Sequence, residues 1–356
     1  MKIAENTNIY NALSDDMSRL IYEKRIMYNL TSNARFLGEM MVAVSSEWQE
    51  FVAAISNVPK EKRVLLGAGM YGKVLQSLVD FNFCIDNKSD TVVFPIEVVK
   101  TDEFLLNSQY YKKRGVSVAV ALSPYENAGK AIDEVCKQLT DAGFSSCDIH
   151  HLPKLKYENS YFELPQLSLR NDEVFVDIGA FDSNDTCNFF DICKGYKNCQ
   201  AIVFEPDIVN YKKCQENLKG KKVTFVNKGL WSESRKIFFD KAANCTFAGN
   251  LYVASLEETD LETDVITLDD FFSNGCVKPT YIKMDIEGAE LKCLMGGKNT
   301  ISLFRPKMAV CVYHKPEDIF EIPAYLLSLC PNYKFWLRKY TMSPFYELVL
   351  YAIEEK

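Results

Sequence analysis

The chain has 356 residues, of which 47% are apolar and 25% are charged, a composition that is typical of soluble globular proteins and leaves room for two domains. Its net charge of −7 argues against nucleic acid and against an anionic membrane surface as partners. No apolar run approaches the roughly 18 residues of a membrane-spanning helix, and the first residues lack the apolar core of a signal peptide, so we expect a cytoplasmic protein.

The twelve cysteines are scattered along the chain and form no C-x-x-C pair, and the sequence has only three histidines. A zinc site built from ligands that are neighbours in sequence is therefore not expected. The cysteines are typical of buried thiols in a reducing compartment.

Residues 1–60 have a helical pattern, because apolar residues recur at three- and four-residue spacing. The residues that carry this pattern are Ile26, Met27, Leu30, Phe36, Leu37, Met40 and Met41. We interpret the segment as a set of packing helices. An arm for homo-oligomerisation is the alternative.

Residues 61–151 alternate between short apolar runs and helical patterns, which predicts a small Rossmann-like unit. A strand at residues 63–66 is followed by Gly67, Gly69 and Gly72 in the order G-x-G-x-x-G, and then by a helix. Asp86 ends the next strand, where a ribose-binding acid belongs. A β-rich run at 116–122 and an amphipathic helix at 128–139 complete the unit.

Two interpretations of this glycine turn stay open. It is either a site for a dinucleotide or a nucleotide sugar, or a structural turn whose glycines serve helix packing. We favour the structural interpretation, because the unit has too few strand–helix repeats for a complete dinucleotide fold. His150 and His151 are interpreted as linker or surface residues, and residues 152–170, interrupted by Pro153 and Pro165, as a linker.

A second α/β unit begins after residue 170. Its first strand, residues 174–178, has the pattern of a buried parallel strand that stops at a tight turn. Further strands are predicted at 201–204, 223–226, 237–239, 281–284 and 308–313, and helices at 185–190, 208–218, 287–295 and 322–329, the last with Pro323 in its first turn. The rest of 236–264 is predicted to be irregular, and 334–337 and 347–352 to be a terminal antiparallel pair.

The turn after the first strand of this unit contains Asp177, Gly179 and Asp182. Gly179 lets a ligand approach the backbone closely, and the two acids offer acceptors for an ammonium group. Glu205 ends the neighbouring strand, where one carboxylate accepts hydrogen bonds from both ribose hydroxyls. This combination predicts a site for S-adenosylmethionine, whose sulfonium cation is attracted to carboxylates. Capping of the next helices is the alternative role for Asp177 and Glu205.

Methyl transfer needs a nucleophile aimed at the methyl group and, for a hydroxyl, a base. Asp285 and His314 are the candidate catalytic residues, because both follow strands at the carboxyl edge of the sheet and a histidine titrates near neutral pH. A polar residue satisfied at a strand end is an equally good interpretation of His314. Glu287 and Glu290 are candidates for orienting the substrate, with stabilisation of the N-terminus of the following helix as the alternative role for one of them. A divalent cation on Asp285 and Glu287 ranks below a metal-free site.

The segment IKMDIEGAE, residues 282–290, resembles the hallmark of the FkbM family of methyltransferases. The resemblance extends to further motifs in the same order, namely VDIGA at 176–180, FEP at 204–206, GLW at 229–231 and TLD at 267–269. It covers roughly residues 170–356.

The resemblance implies a class I methyltransferase fold that binds S-adenosylmethionine and O-methylates sugars or natural products. By this resemblance Asp177, Gly179 and Glu205 match donor-binding positions. Ser183 departs from the family, whose members often have a glycine there. The predicted donor site as a whole is Asp177, Gly179, Ala180, Phe181, Asp182, Glu205, Pro206 and Gly229.

The predicted fold is therefore α/β. Residues 171–356 form a class I methyltransferase domain with a mostly parallel seven-stranded sheet and a terminal antiparallel hairpin, preceded by helices (1–60), a smaller Rossmann-like domain (61–151) and a linker (152–170). The predicted function is S-adenosylmethionine-dependent O-methylation of a hydroxyl on a sugar, glycan or related natural product. The alternatives are a NAD-dependent oxidoreductase or epimerase-like protein that uses the Gly67 turn, and a non-catalytic binding protein.

Overall fold

The computed structural model describes residues 3–87, 93–122, 126–153, 160–241, 252–255, 262–273, 275, 277–340 and 343–355. The chain forms two compact units. The smaller one comprises Glu23–Lys156 and Thr341–Phe345, and the larger one Met1–Tyr22, Tyr157–Tyr340 and Tyr346–Lys356. In the described part of the chain, no helix combines the length and the hydropathy needed to cross a lipid bilayer.

The predicted helical pattern of the N-terminal segment is confirmed. The segment folds into α1 (Ile3–Ala12), α2 (Asp16–Thr31), α3 (Ala34–Val44) and α4 (Ser46–Ser56). Side chains before α3 and α4 satisfy free backbone donors, since Asn33 accepts from Arg35 N and Ser45 accepts from Trp48 N. Such caps are the local reason why two short helices begin where they do.

The first helix packs within the larger unit, against its last strands. Ser14 N donates to the carbonyl of Phe335, and the Ser18 hydroxyl accepts from Leu337 N at 3.0 Å. The first 22 residues therefore belong with the C-terminal domain rather than with the helices that follow them.

The smaller unit contains a parallel sheet with the strand order β3-β2-β1-β4-β5. Its elements are β1 (Arg63–Leu66), α5 (Met70–Leu78), β2 (Phe83–Ile85), β3 (Val98–Val99), α6 (Thr101–Leu106), α7 (Ser108–Lys113), β4 (Ser117–Val120), α8 (Glu126–Asp141) and β5 (Ile149–His151). The unit thus has more strand–helix repeats than the sequence indicates, because β3 has only two half-buried residues and leaves no visible pattern.

The sequence predicts that His150 and His151 are linker or surface residues, and the structure corrects the linker assignment for both and the surface assignment for His150. Both lie in β5, which pairs with β4. The Ser117 hydroxyl lies 3.0 Å from His150 Nε2, and burial lowers the pKa of His150. His151 is exposed.

The glycine turn between β1 and α5 is tightly built. Gly67 has a φ of +107°, which favours glycine, and a Cβ on Gly72 would lie 1.9 Å from the carbonyl oxygen of Gly67. Asp86 Oδ2 accepts from Ala68 N at 2.8 Å. By contrast, a Cβ on Gly69 would meet no atom within 4 Å. The first and third glycines of the motif are therefore required by packing, whereas the second is not.

The larger unit is built on a seven-stranded sheet with the order β15-β16-β14-β13-β6-β7-β8, in agreement with the predicted fold. These strands are β6 (Val174–Ile178), β7 (Gln200–Phe204), β8 (Val223–Val226), β13 (Tyr281–Met284), β14 (Lys307–Cys311), β15 (Tyr333–Lys339) and β16 (Leu348–Glu354). Within the sheet, β16 is antiparallel to both of its neighbours and the other pairs are parallel. Every residue of β6 and β13 is buried.

The helices of this unit are α9 (Asn184–Ile192), α10 (Ile208–Asn217), α11 (Leu268–Phe272), α12 (Glu290–Gly296), α13 (Lys298–Phe304) and α14 (Asp318–Leu329). Two predicted boundaries were wrong. The helix predicted from residue 287 begins at Glu290, because Glu287 and Gly288 adopt φ angles of +56° and +92°. The helix predicted from residue 322 begins at Asp318, so Pro323 lies inside it.

Residues 236–264 were predicted to be mostly irregular, and the described part of this segment is instead a small mixed sheet. Its order is β11-β10-β12-β9, formed by β9 (Gly229–Leu230), β10 (Arg235–Lys241), β11 (Tyr252–Ser255) and β12 (Glu262–Ile266). The strands carry many polar residues, so their apolar alternation is weak in the sequence.

The second half of the predicted linker packs into the larger unit. Tyr161, Leu164 and Leu167 are buried in the apolar cluster that also contains Phe175 and Tyr281. This part of the predicted linker therefore contributes to the core. Residues 154–159 lie outside the described part of the chain.

The glycine turn of the smaller unit gives a test of its packing. We expect Gly72→Ala to lower the free energy of unfolding by about 1–3 kcal/mol, because the new methyl group overlaps the Gly67 carbonyl oxygen. Gly69→Ala is the matched control, and we expect it to cost less than about 1 kcal/mol because its Cβ enters open space. Chemical denaturation of both variants measures the difference, and equal stabilities would contradict this packing.

Candidate active site

The turn after β6 is anchored by a buried ion pair. Asp177 is fully buried, and its two carboxylate oxygens lie 3.1 Å from Lys283 Nζ and 2.6 Å from the Thr186 hydroxyl, which donates to it. Lys283 is 3% exposed, lies 3.2 Å from Asp185, and donates to the carbonyl of Gly179 at 2.9 Å. Asp177 therefore acts on the shape of the turn through Lys283, rather than by presenting a free carboxylate to a ligand.

Lys283 is a site residue that the sequence analysis missed. Burial lowers its pKa, but the charges of Asp177, Asp185 and Asp285 outweigh this, and the pKa lies well above its usual value. The ammonium group is thus charged in the interior, where an unpaired charge is very costly. A lysine inside the apolar strand β13 was the signal that could have identified it.

The turn itself brings the donor-site candidates together. Gly179 has a φ of +79°, and a Cβ on it would lie 2.1 Å from the carbonyl oxygen of Asp285. Only a glycine permits this contact between the ends of two adjoining strands. Ala180 is buried, Phe181 is 44% exposed with a φ of +50°, and Asp182 caps the following turn by accepting from Asn184 N at 3.1 Å.

Ser183, where the family often has a glycine, also adopts a left-handed conformation, with a φ of +64°. Its hydroxyl donates to the carbonyl of Asp182 at 2.5 Å. The departure from the family is therefore accommodated by a short polar side chain in a backbone conformation that glycine adopts more readily.

Glu205, which follows the neighbouring strand β7, accepts backbone hydrogen bonds from this turn and from the start of the next helix. Its two carboxylate oxygens accept from Phe181 N at 2.8 Å and from Asp207 N at 2.9 Å, and the residue is 6% exposed. Burial raises the pKa of Glu205 to about 7, against the opposing effect of the two backbone donors. Each oxygen keeps a second lone pair for a ligand. Pro206 lies beside Gly229, which is buried and packs on Val265.

A second group of side chains gathers where β13 and β14 end. His314 Nε2 lies 3.4 Å from Asp285 Oδ1 and 3.4 Å from Glu287 Oε2. The side chains of Asp285 and Glu287 are 21% and 32% exposed, and that of His314 is 9% exposed. We call these three residues the acidic–histidine cluster. They include both predicted catalytic residues and one of the two predicted substrate residues.

Glu290 lies behind this cluster and not at its open side. It is fully buried, accepts from Ile286 N at 2.9 Å, and lies 3.0 Å from His314 Nδ1. Its burial argues against a substrate contact and favours the alternative role at the N-terminus of α12, because its carboxylate faces the histidine from within the protein. It is a positioning residue for His314.

The pKa of His314 differs from the sequence-based expectation. Burial lowers it, but the carboxylates of Glu290, Asp285 and Glu287 raise it to about 10, so the ring is an imidazolium at neutral pH. Burial also raises the pKa of Glu287 to about 7, which the nearby His314 partly opposes. His314 therefore does not titrate near neutral pH as the sequence predicts, because the neighbouring carboxylates stabilise its charged form.

Residues 177–337 match the sequence model of the methyltransferase FkbM domain family. The match spans 161 of the 356 residues, and we refer to this part of the chain as the FkbM domain. No curated protein sequence matches the chain.

Several solved structures resemble the chain. A methyltransferase FkbM from Methylobacillus flagellatus KT is 18% identical over 95% of this chain and 99% of its own, with a TM-score of 0.49. Fibrillarin from Aeropyrum pernix, with natively bound S-adenosyl-L-methionine, is 8% identical over 54% of this chain and 71% of its own, with a TM-score of 0.34. Precorrin-6y C5,15-methyltransferase from Geobacter metallireducens is 12% identical over 52% of this chain and 82% of its own, with a TM-score of 0.31.

The family match confirms the resemblance found in the sequence, and with it a methyltransferase fold over the second half of the chain. It supports S-adenosylmethionine as the methyl donor of the FkbM domain. The match begins at Asp177, the acid that precedes the glycine turn, and it includes the acidic–histidine cluster.

The buried charges of the FkbM domain give a test of their pairing. We expect Lys283→Met to lower the free energy of unfolding by about 3–5 kcal/mol, because it leaves Asp177 buried and uncompensated. Lys292→Met on the exposed side of α12 is the control, with an expected change within about 0.5 kcal/mol. In the double variant Lys283→Met/Asp177→Asn we expect part of the loss to be regained. Denaturation measures the stability of the double variant and of each single variant. If the losses of Lys283→Met and Asp177→Asn add up in the double variant, the coupling between the two side chains is contradicted.

Proposed function

We propose that the FkbM domain transfers the methyl group of S-adenosylmethionine to a hydroxyl group of a sugar, a glycan or a related natural product. The observation that supports this most is a contact between two half-sites. The Gly179 turn, to which we assign the donor, lies directly against the backbone of Asp285, to which we assign the proton, and the two follow adjoining strands. That arrangement suits a reaction between a bound donor and an acceptor hydroxyl.

On the donor side, Glu205 receives the ribose of S-adenosylmethionine. Its carboxylate ends β7 beside the turn, and its oxygens have lone pairs directed away from Phe181 N and Asp207 N. The Gly179 backbone borders the amino-acid end of the donor. Asp177 holds this backbone through Lys283, so its contribution to donor binding is indirect.

On the acceptor side, Asp285 takes up the proton of the attacking hydroxyl. In the transfer, the acceptor oxygen forms a bond to the methyl carbon while the carbon–sulfur bond of the donor breaks. The sulfonium becomes a neutral thioether, and the hydroxyl proton passes to the carboxylate. A hydroxyl needs such a base, because its proton is not lost at neutral pH without one. Glu287, at the open side of the acidic–histidine cluster, borders the acceptor.

Donor binding is expected to depend on pH through Glu205. Ribose hydroxyls donate to the ionised carboxylate, so binding lowers a pKa that is about 7 in the free protein. Binding therefore releases a proton below pH 7, and the affinity for S-adenosylmethionine falls up to tenfold per pH unit as the pH drops from 7. Above pH 7 the Glu205 contribution is constant. Calorimetry in buffers of different ionisation enthalpy measures the released proton.

The control for this linkage is Glu205→Gln, which keeps the shape of the side chain but cannot ionise. We expect it to bind S-adenosylmethionine more weakly at pH 8 and to lose the additional pH dependence of the wild type. Proton release that is the same in Glu205→Gln and in the wild type would assign the linkage to another group and contradict the ribose role of Glu205.

The acceptor class is tested with a panel of compounds that offer hydroxyl, amine or thiol groups on sugars and related scaffolds. We expect methyl transfer from labelled S-adenosylmethionine to hydroxyl compounds. Asp285→Asn is expected to reduce the turnover number by about 10²–10⁴-fold, the range of a lost general base. Its affinity for the donor is expected to stay within about threefold of the wild type, because Asp285 contacts the donor turn through its backbone carbonyl.

Three outcomes would contradict the proposal. Transfer only to amines or thiols would assign another acceptor class. Donor binding without turnover on any acceptor would favour a non-catalytic binding protein. Binding of NAD in preference to S-adenosylmethionine would favour the oxidoreductase alternative. Association through the N-terminal helices stays a prediction, which the mass of the protein in solution tests.

A further inference from the structure

The ring of His314 is the unusual member of the acidic–histidine cluster. Its side chain is nine-tenths buried, and within the described part of the chain neither ring nitrogen makes a hydrogen bond of acceptable geometry. Yet Nε2 faces carboxylate oxygens of both Asp285 and Glu287. A buried polar side chain of this kind normally has a partner, so its orientation towards two carboxylates requires an explanation.

The distances within the cluster fit ligands that share a cation better than they fit hydrogen bonds. The two Nε2–oxygen distances are 3.4 Å, and the three ligand atoms lie within 4.8 Å of one another. An N–H···O hydrogen bond has a length of about 2.7–3.2 Å. Ligands at about 2.0–2.2 Å from one ion, at angles between octahedral and tetrahedral, lie about 2.8–3.6 Å apart, a range that includes both observed distances.

We infer that Asp285 Oδ1, Glu287 Oε2 and His314 Nε2 form a binding site for a divalent cation. This inference rests on the proposed function, and it adds to it a means of holding the acceptor. The sequence alone ranked a metal-free site higher, because the residue that completes the ligand set lies 27 positions beyond Glu287 and follows a different strand.

The residues around the three ligands support them as the neighbours of metal ligands commonly do. Glu290 Oε1 lies 3.0 Å from His314 Nδ1, on the side of the ring opposite the site. The charge of a carboxylate in this position favours the proton on Nδ1, so a metal that displaces the Nε2 proton of the imidazolium binds at Nε2. The hydroxyls of Tyr161 and Tyr313 donate to Asp285 at 3.2 and 3.4 Å and restrict its carboxylate.

The charge of the site also favours a cation. Among the described residues, Lys283 is engaged by Asp177 and Asp185, and the side chain of Lys315 donates to the carbonyl of Gly288. Asp285, Glu287 and Glu290 therefore share His314 as their only close basic partner in the described structure. A divalent ion on the ligand set balances two of these carboxylates and leaves the imidazole neutral.

The ligand set indicates the class of ion. Two carboxylate oxygens and one imidazole nitrogen suit Mn²⁺ and related first-row ions, whereas Ca²⁺ takes six to eight oxygen ligands. Three protein ligands leave coordination positions open. Because Gly179 touches the backbone of Asp285, the ligand set begins beside the donor turn, and an acceptor hydroxyl bound to the ion would be held next to the donor.

The inference is tested by titrating Mn²⁺ into the full-length chain after treatment with a chelator, with electron paramagnetic resonance to count free and bound ion. We expect one Mn²⁺ per chain. Glu287→Gln and Asp285→Asn are each expected to weaken Mn²⁺ binding at least tenfold. Even the loss of a residue that only hydrogen-bonds to a metal ligand typically weakens metal binding about 10–100-fold. Glu321→Gln, an exposed acid on α14, is the matched control and is expected to bind Mn²⁺ as the wild type does.

Two results would overturn the cation site. One is the absence of stoichiometric Mn²⁺ binding by the wild type, and the other is equal Mn²⁺ affinity in Glu287→Gln, Asp285→Asn and Glu321→Gln. The binding of S-adenosylmethionine to the chelator-treated chain is measured in parallel, so that the two proposals fail separately. Donor binding with undiminished methyl transfer in a chelator rejects the cation site and leaves the proposed function intact. Mn²⁺ binding without any methyl transfer supports the cation site and rejects the proposed function.

Discussion

Lys283 holds together the carboxyl ends of the two strands on which the site is built. Its ammonium group lies on β13, yet its partners are Asp177 at the end of β6, Asp185 at the start of α9, and the carbonyl of Gly179 in the turn between them. Three partners compensate the cost of burying this charge. Lys283 therefore acts together with backbone hydrogen bonds to Phe204 and Ile178 to hold the Gly179 backbone against Asp285.

The order of the strands explains why a donor turn and an acid cluster meet at this place. From β6 the chain runs outward in one direction through β7 and β8, and later in the other direction through β13 and β14. The connections diverge between β6 and β13, and ligands of open α/β sheets bind in the crevice at such a point. Asp177 and Gly179 follow one of these strands and Asp285 follows the other, so the fold itself supplies two adjoining half-sites.

The sequence predicted the parts of this arrangement that leave a local pattern. Buried strands such as β6 and β13 are short apolar runs, and the glycine turn and Glu205 follow strands directly. The sequence did not predict the roles of residues whose interaction partners are distant along the chain. Asp177, a partner of Lys283, lies on a strand about a hundred residues earlier. Glu290 faces His314, which follows another strand, so neither pairing is visible in the local sequence. The strands within 236–264 carry many polar residues, so the alternation that identifies a strand was weak.

The chain has two glycine turns after a first parallel strand, and only one of them is assigned here to the methyl donor. A crystal structure with S-adenosylhomocysteine, the demethylated product, tests this assignment most directly. We expect the product's ribose against the carboxylate of Glu205 and its amino-acid end along the backbone at Gly179. Product bound at the turn of Gly67, Gly69 and Gly72, with the Gly179 turn unchanged, would contradict the central claim.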